Sequence, residues 1–163
     1  MVIRLCKIGV LASYTLLLTL IAFGNVTDCG SNWPFVQHVL AMDTTFQNPG
    51  VMWRAVTDPT LQTLGYIGII ALETTSALVM ISGVIILVGR LRGSAEDFDR
   101  AKTIAVVGIS LSLILWLGGF LAVGGEWFAM WQSPSWNGAG SAGRFLLAGG
   151  ITLLFLVQPE RDP

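Results

Sequence analysis

The sequence predicts an all-α membrane protein: four transmembrane helices, both termini on the inner side, and a structured, tryptophan-rich outer cap that contains a short amphipathic helix. Three observations point there. Of the 163 residues, 53% are hydrophobic and 12% are charged, about half the ~25% charged share of an ordinary soluble domain. Four apolar runs approach or exceed the ~20 residues needed to cross a hydrocarbon core. The lysines and arginines fall mainly in the segments that a four-span topology places on one side.

The first span is expected over residues 3–23. Arg4 and Lys7 precede its apolar run and can snorkel at its end. The run imitates a signal peptide, with Ala22-Phe23-Gly24 in the place of a cleavage site. It exceeds a typical apolar signal region of about 7–15 residues and is read as an uncleaved helix. An outer stretch, residues 24–58, follows. Ser31 or Asn32 can cap a short helix, with Pro34 in its first turn. Phe35, Val36, Val39, Leu40 and Met42 share one arc at helical spacing, and Asp43 would break that arc, so the helix is expected to end at Met42. Asn48-Pro49-Gly50 marks a turn.

Asp58-Pro59 opens the second span, residues 59–88, as a cap followed by a first-turn proline. Residues 89–102 read as a short charged loop in which Ser94 and Asp97 imitate a capping box. The third span, residues 103–123, is expected to stop at Gly124-Gly125. A second outer stretch, residues 124–137, carries Trp127, Trp131 and Trp136. The fourth span covers residues 138–157. All of this makes one domain over residues 1–163.

Arg4, Lys7, Arg90, Arg92, Arg100, Lys102 and Arg161 fall on one side of this layout, and Arg54 and Arg144 on the other. That bias places both termini in the cytoplasm and both outer stretches in the periplasm. Trp33, Trp53, Trp127, Trp131 and Trp136, five of the six tryptophans, lie on the outer side. Cys6 and Cys29 flank the first span on opposite faces, too far apart for a disulfide, and no cysteine–histidine spacing suggests zinc. A net charge of -1 leaves no basic footprint for nucleic acid.

The segments FGNVTDCGSNWPFVQHVLAMDTTF, MWRAVTDP and GGEWFAMWQSPSWNG resemble a family of bacterial predicted small integral membrane proteins, a domain of unknown function. The resemblance covers nearly the whole chain. It implies a short multi-helix inner-membrane protein and carries over no activity, cofactor or site residue.

Glu73 is the one ionisable side chain deep in an apolar run, which makes it a candidate for a proton or ion role. The plainer reading is a hydrogen-bonded glutamic acid that fixes helix packing against small neighbours such as Ser76 and Ala77. His38 is the single histidine, so a di-histidine haem site within the chain is excluded. A metal site from Asp28, Cys29, His38, Asp43 and Glu126 matches no standard spacing, and those residues are expected instead to cap helices, bond loop backbones and meet water. Trp33, His38, Trp53, Glu126, Trp127, Phe128, Trp131 and Trp136 are the candidates for a partner or lipid surface. Interfacial anchoring is the simpler use of the tryptophans, while their density also suits a platform for a protein, a lipid or a quinone ring. Arg54 or Arg144 is the expected partner of Glu126. Gly108 with Ser112, and Ala139 with Gly143, have small-xxx-small spacing that suits close helix contact.

No catalytic or metal constellation emerges, and no cofactor is expected within the chain beyond contact with lipid or quinone. The functional expectation is a non-enzymatic accessory or assembly subunit of a larger inner-membrane complex, respiratory or photosynthetic, with membrane lipid and other integral subunits as partners. The alternatives are a small homo-oligomeric proton-coupled transporter using Glu73, and an enzyme subunit with a quinone or metal site.

Overall fold

Hydrocarbon offers a backbone no hydrogen-bond partner, so each long apolar run must satisfy its own amides within a helix. A computed structural model of the chain, which describes residues 1–160, has that form: five α-helices and, among the described residues, no strand. They are α1 (Val2–Thr27), α2 (Cys29–Ala41), α3 (Pro59–Gly89), α4 (Ala95–Leu113) and α5 (Ala139–Leu156). α4 continues without a break into a π-helical segment, Ile114–Trp127. α1, α3, α4 with its extension, and α5 are long and apolar enough to cross a membrane. Arg161 lies outside the described residues.

Local chemistry explains most boundaries. Asp58 caps α3, accepting from the amides of Thr60 (2.8 Å) and Leu61 (2.9 Å), and Pro59 occupies the first turn. Ser94 caps α4 by accepting from Asp97 N at 3.1 Å. The expected charged loop at 89–102 is therefore shorter: Ala95 to Lys102 is already helix, with Glu96 and Asp97 favourably placed in its first turn and Glu96 paired with Arg100. At the far end, Gly124-Gly125 does not stop the helix. The segment runs on to Trp127 in wider turns, with Phe128 N bonding Val123 O five residues back at 3.0 Å.

The first outer stretch also differs from expectation. α1 continues through Thr27, because nothing in Gly24-Asn25-Val26-Thr27 forbids helix, and α2 begins two residues later. The N-cap of α2 is Asp28, accepting from Ser31 N at 3.2 Å, rather than Ser31 or Asn32. Pro34 consequently lies inside α2, beyond its first turn. Ala41 is the last helical residue, and Met42 ends the helix in a left-handed conformation, φ 53°.

The core of the bundle draws Leu11 and Leu18 from α1, Met80 and Leu87 from α3, Phe98 and Ile109 from α4, and Ala142 and Leu156 from α5. α3 and α4 approach most closely. A Cβ on Gly83 would lie 2.7 Å from the Ala105 backbone, and one on Gly108 would lie 2.9 Å from Met80 N. Ser76 Oγ uses this proximity to donate to Gly108 O at 2.8 Å. The small-residue spacing of Gly108 and Ser112 thus serves two neighbours, since Ser112 Oγ meets Tyr14 Oη of α1 at 3.0 Å. Gly143 instead faces open space.

At the end of the bundle that holds Met1 and Glu160, charge rather than apolar area closes the structure. Arg4 Nη1 donates to Leu91 O (3.1 Å) and Gly93 O (2.7 Å), tying α1 to the α3–α4 turn. Lys7 is not a snorkelling residue but is 2% exposed. Its Nζ reaches Glu160 Oε1 at 2.6 Å, and Lys102 Nζ lies 3.3 Å from the same atom. Both ammoniums also donate to Gln158 O. Burial acts to raise the pKa of Glu160, but the hydrogen bonds and charges of Lys7 and Lys102 outweigh it and hold the carboxyl below its ordinary value.

The α3–α4 contact gives a direct test. Gly83→Ala should lower unfolding stability by about 1–3 kcal/mol, the usual penalty for overpacking, and so lower the thermal midpoint in detergent. Gly143→Ala, with open space around it, should leave that midpoint unchanged or slightly raised. Equal midpoints for the two variants would remove Gly83 from its role.

Candidate functional site

At the opposite end, the two long connections converge. Val39 and Met42 of the first pack with Phe128, Ala129 and Met130 of the second in an apolar cluster separate from the main core. Polar contacts fix their register: Thr44 Oγ1 and Ser133 Oγ are 2.7 Å apart, and Phe46 N donates to Gln132 Oε1 at 3.0 Å. His38 stacks on Trp136 with ring centroids 4.6 Å apart and planes 14° apart, while its Nδ1 pairs with Asp43 Oδ2 at 2.8 Å.

The surface of this end is aromatic. Trp53 and Trp127 meet edge to face at 5.6 Å, and Phe46 meets Trp131 likewise at 5.9 Å. Trp53 is 70% exposed, Trp131 52% and Trp127 46%. The Arg54 guanidinium lies 4.9 Å from the Trp127 ring and 5.6 Å from the Trp53 ring, and its Nη1 donates to Trp127 O at 3.4 Å.

These contacts redistribute the sequence candidates. Trp53, Trp127 and Trp131 form an exposed set. Phe128 is buried in the apolar cluster and is not a surface residue, while Trp136 is half-buried between His38 and Phe35. Trp33 is also half-buried, packed edge-on against Tyr66 at 5.6 Å. The expected Glu126 ion pair does not form: Arg54 is held by the indoles and Arg144 donates to Ser141 Oγ at 3.0 Å. Glu126 is exposed and has no ion-pair partner among the described residues. Asp28, Cys29, His38, Asp43 and Glu126 do not converge as metal ligands. Asp28 caps α2, His38 pairs with Asp43, and the Cys29 thiol points back to Asn25 O and Val26 O at 3.5 Å.

Glu73 is 3% exposed in α3. Asn25 Nδ2 of α1 donates to its Oε2 at 2.5 Å, and Tyr66 Oη donates to Asn25 O at 3.0 Å. The carboxyl is thus joined to the aromatic end of the bundle through one asparagine, which forms its link from α3 to α1.

Two cavities lie beside this chain. One, about 220 Å³, is apolar and lies between α2, α3 and the π-helical segment, bounded by Val39, Leu40, Ile69, Gly119, Val123 and Met130 among others. The other, about 230 Å³, has a mixed lining that includes Asn25, Asn32, Tyr66, Trp116, Ser141 and Phe145. Sequence reasoning passed over Asn25 and Trp116. The available signal was Trp116 itself, a tryptophan in the middle of a span where the interfacial preference of that side chain puts few.

Residues 3–159 match the family described as "Predicted small integral membrane protein (DUF2165)". The chain belongs to this family. No curated protein and no solved structure matches it. Membership agrees with the helices described above in making the chain an integral membrane protein with several spans.

For this member of the family, Glu73 is expected to act as a packing residue. Glu73→Gln keeps an oxygen for Asn25 Nδ2 and should retain the wild-type thermal midpoint within a few degrees. Glu73→Ala strands a buried amide donor and should cost about 1–3 kcal/mol. If the alanine variant keeps the wild-type midpoint, the packing role is wrong.

Proposed function

We propose that this protein is a non-enzymatic accessory or assembly subunit of a larger inner-membrane complex, docking to another integral membrane protein through its aromatic end. One observation carries the reading: Arg54 is fixed between exposed Trp53 and Trp127 by ring contacts and a hydrogen bond to Trp127 O. Tryptophan and arginine dominate the energetics of protein interfaces, and side chains already held in place lose less entropy on binding.

The charge bias supports the orientation. With Arg4, Lys7, Arg90, Arg92, Arg100 and Lys102 at the end that holds Met1 and Glu160, that end faces the cytoplasm and the aromatic end forms a periplasmic cap. The transporter alternative has less support. Glu73 is not among the residues lining the two cavities, and its bond to Asn25 suits packing.

Orientation can be read with the native cysteines, since Cys6 and Cys29 are both free and exposed at opposite ends. In intact spheroplasts a membrane-impermeant maleimide should label a variant retaining Cys29 alone, and should miss one retaining Cys6 alone until the membrane is permeabilised. The reverse pattern would invert the assignment. Docking is tested by native purification from the source membrane. The wild type should migrate with a defined integral membrane partner, and Trp53→Ala with Trp127→Ala should migrate without it while keeping its thermal midpoint. A wild-type protein that runs alone, or as a homo-oligomer, would reject the subunit reading.

A further inference from the structure

Trp116 is the tryptophan that the aromatic surface does not use. It stands in the π-helical segment, 3% exposed, and its indole Nε1–H has no acceptor among the described residues. A buried donor left without an acceptor is unfavourable. Trp116 lines the mixed cavity, which has a volume of about 230 Å³.

The lining of that cavity specifies what would fit. None of its lining side chains is charged, and the Arg144 guanidinium, bonded to Ser141 Oγ, is exposed outside the lining. Its polar members are the Asn25 and Asn32 amides and the Tyr66 and Ser141 hydroxyls. The rest of the lining is apolar, in part aliphatic (Ile21, Val36, Ile69) and in part aromatic (Phe35, Phe120, Phe145), with the Trp116 and Phe145 centroids 4.6 Å apart. Phe35, Val36, Ile69 and Phe120 also line the neighbouring apolar cavity, so the two are separated by a shared wall. Phe35 and Phe120 stack in that wall with centroids 6.2 Å apart and planes 19° apart. Ser141, exposed and lining the mixed cavity, marks its mouth.

We propose that the mixed cavity binds a neutral, lipid-soluble ring bearing carbonyl acceptors, a quinone headgroup. The Trp116 Nε1–H donates to one carbonyl, the aromatic wall stacks on the ring, and the tail lies along the apolar cavity once the Phe35 ring turns aside. A saturated acyl chain would leave the indole donor unsatisfied. The site is separate from the docking surface, so this inference stands or falls independently of the subunit reading.

The test is titration of the purified protein, in nanodiscs of a single synthetic phosphatidylcholine, with decylubiquinone. Affinity and the infrared carbonyl band of the bound quinone are both read. The wild type should bind saturably and show a carbonyl component shifted to lower frequency. Trp116→Phe keeps the ring and removes the donor, so it should lose that component and weaken binding about ten-fold, the equivalent of ~1.4 kcal/mol. Ser141→Trp, at the exposed mouth, should abolish binding with the thermal midpoint retained, and Trp53→Phe should change neither readout. If Trp116→Phe does not fold, Ser141→Trp decides. Absence of saturable binding in the wild type would overturn the proposal, as would unchanged affinity in Ser141→Trp. So would an unshifted carbonyl band in the wild type.

Discussion

The rest of the structure depends on the close approach of α3 and α4. Lipid tails are as apolar as leucine, so burying apolar side chains does not by itself drive two helices together within a bilayer. What does is close packing where the backbones can meet, and Gly83 against Ala105 and Gly108 against Met80 allow that. Ser76 then reaches Gly108 O across the gap. With that pair fixed, α1 lies against α3 through Asn25 and Glu73, and Tyr14 joins α1 to α4 through Ser112. Tyr14 is also where α5 closes in: a Cβ on Gly149 would fall 2.5 Å from its hydroxyl oxygen. Each later contact uses a polar side chain or a glycine on a face that the α3–α4 contact has already oriented.

The two ends of the bundle solve the same problem in different ways. Where helices leave the hydrocarbon, terminal carbonyls and amides need partners. At the end holding Met1 and Glu160, arginine and lysine supply them: Arg4 serves Leu91 O and Gly93 O, and Lys7 and Lys102 serve Gln158 O. Glu160 compensates those ammoniums. At the other end the connections serve themselves. Val56 N bonds Leu40 O, Gln62 Nε2 bonds Val56 O and Gln132 Oε1 accepts from Phe46 N. Charge serves there mainly as helix caps, Asp28 on α2 and Asp58 on α3, and the surface carries aromatic rings.

The four long helices were legible in the sequence because apolar length is a strong one-dimensional signal. The Asp58-Pro59 start of α3 was legible because cap and first-turn proline act through neighbouring residues alone. Other boundaries depend on which of several competent residues wins. Asp28, Ser31 and Asn32 can all cap a helix, and the choice fell to Asp28 because α1 runs on to Thr27 and leaves Asp28 at the break. The candidate site was less legible for the same reason. Glu73 stands out as a charge in an apolar run, yet its partner Asn25 is 48 residues away and looks like an ordinary loop asparagine until α1 is known to continue past it. Lys7 and Glu160, 153 residues apart, are a second long-range pair that spacing cannot reveal.

Burial of tryptophan separates two chemistries in this chain. The exposed indoles, Trp53, Trp127 and Trp131, combine an apolar body with a polar N–H that meets solvent, headgroup or partner, so each can be satisfied without help from the fold. Trp116 cannot, because both its ring and its N–H are inside. Its ring is well accommodated against Phe120 and Phe145, at centroid distances of 4.9 and 4.6 Å. Packing therefore accounts for an aromatic ring at this position and leaves the nitrogen unexplained, since phenylalanine would pack without an orphaned donor. The π-helical turns sharpen the point. Their wide ladder extends through Gly118, Gly119, Gly124 and Gly125, and among these glycines Gly119 and Gly124 border the apolar cavity. A wall of the two cavities is thus built from the least regular helix of the fold, with few side chains on the apolar side and an unsatisfied donor on the mixed side. That combination is uneconomical for a helix whose task is only to span, and it is consistent with a helix that also shapes space for a guest.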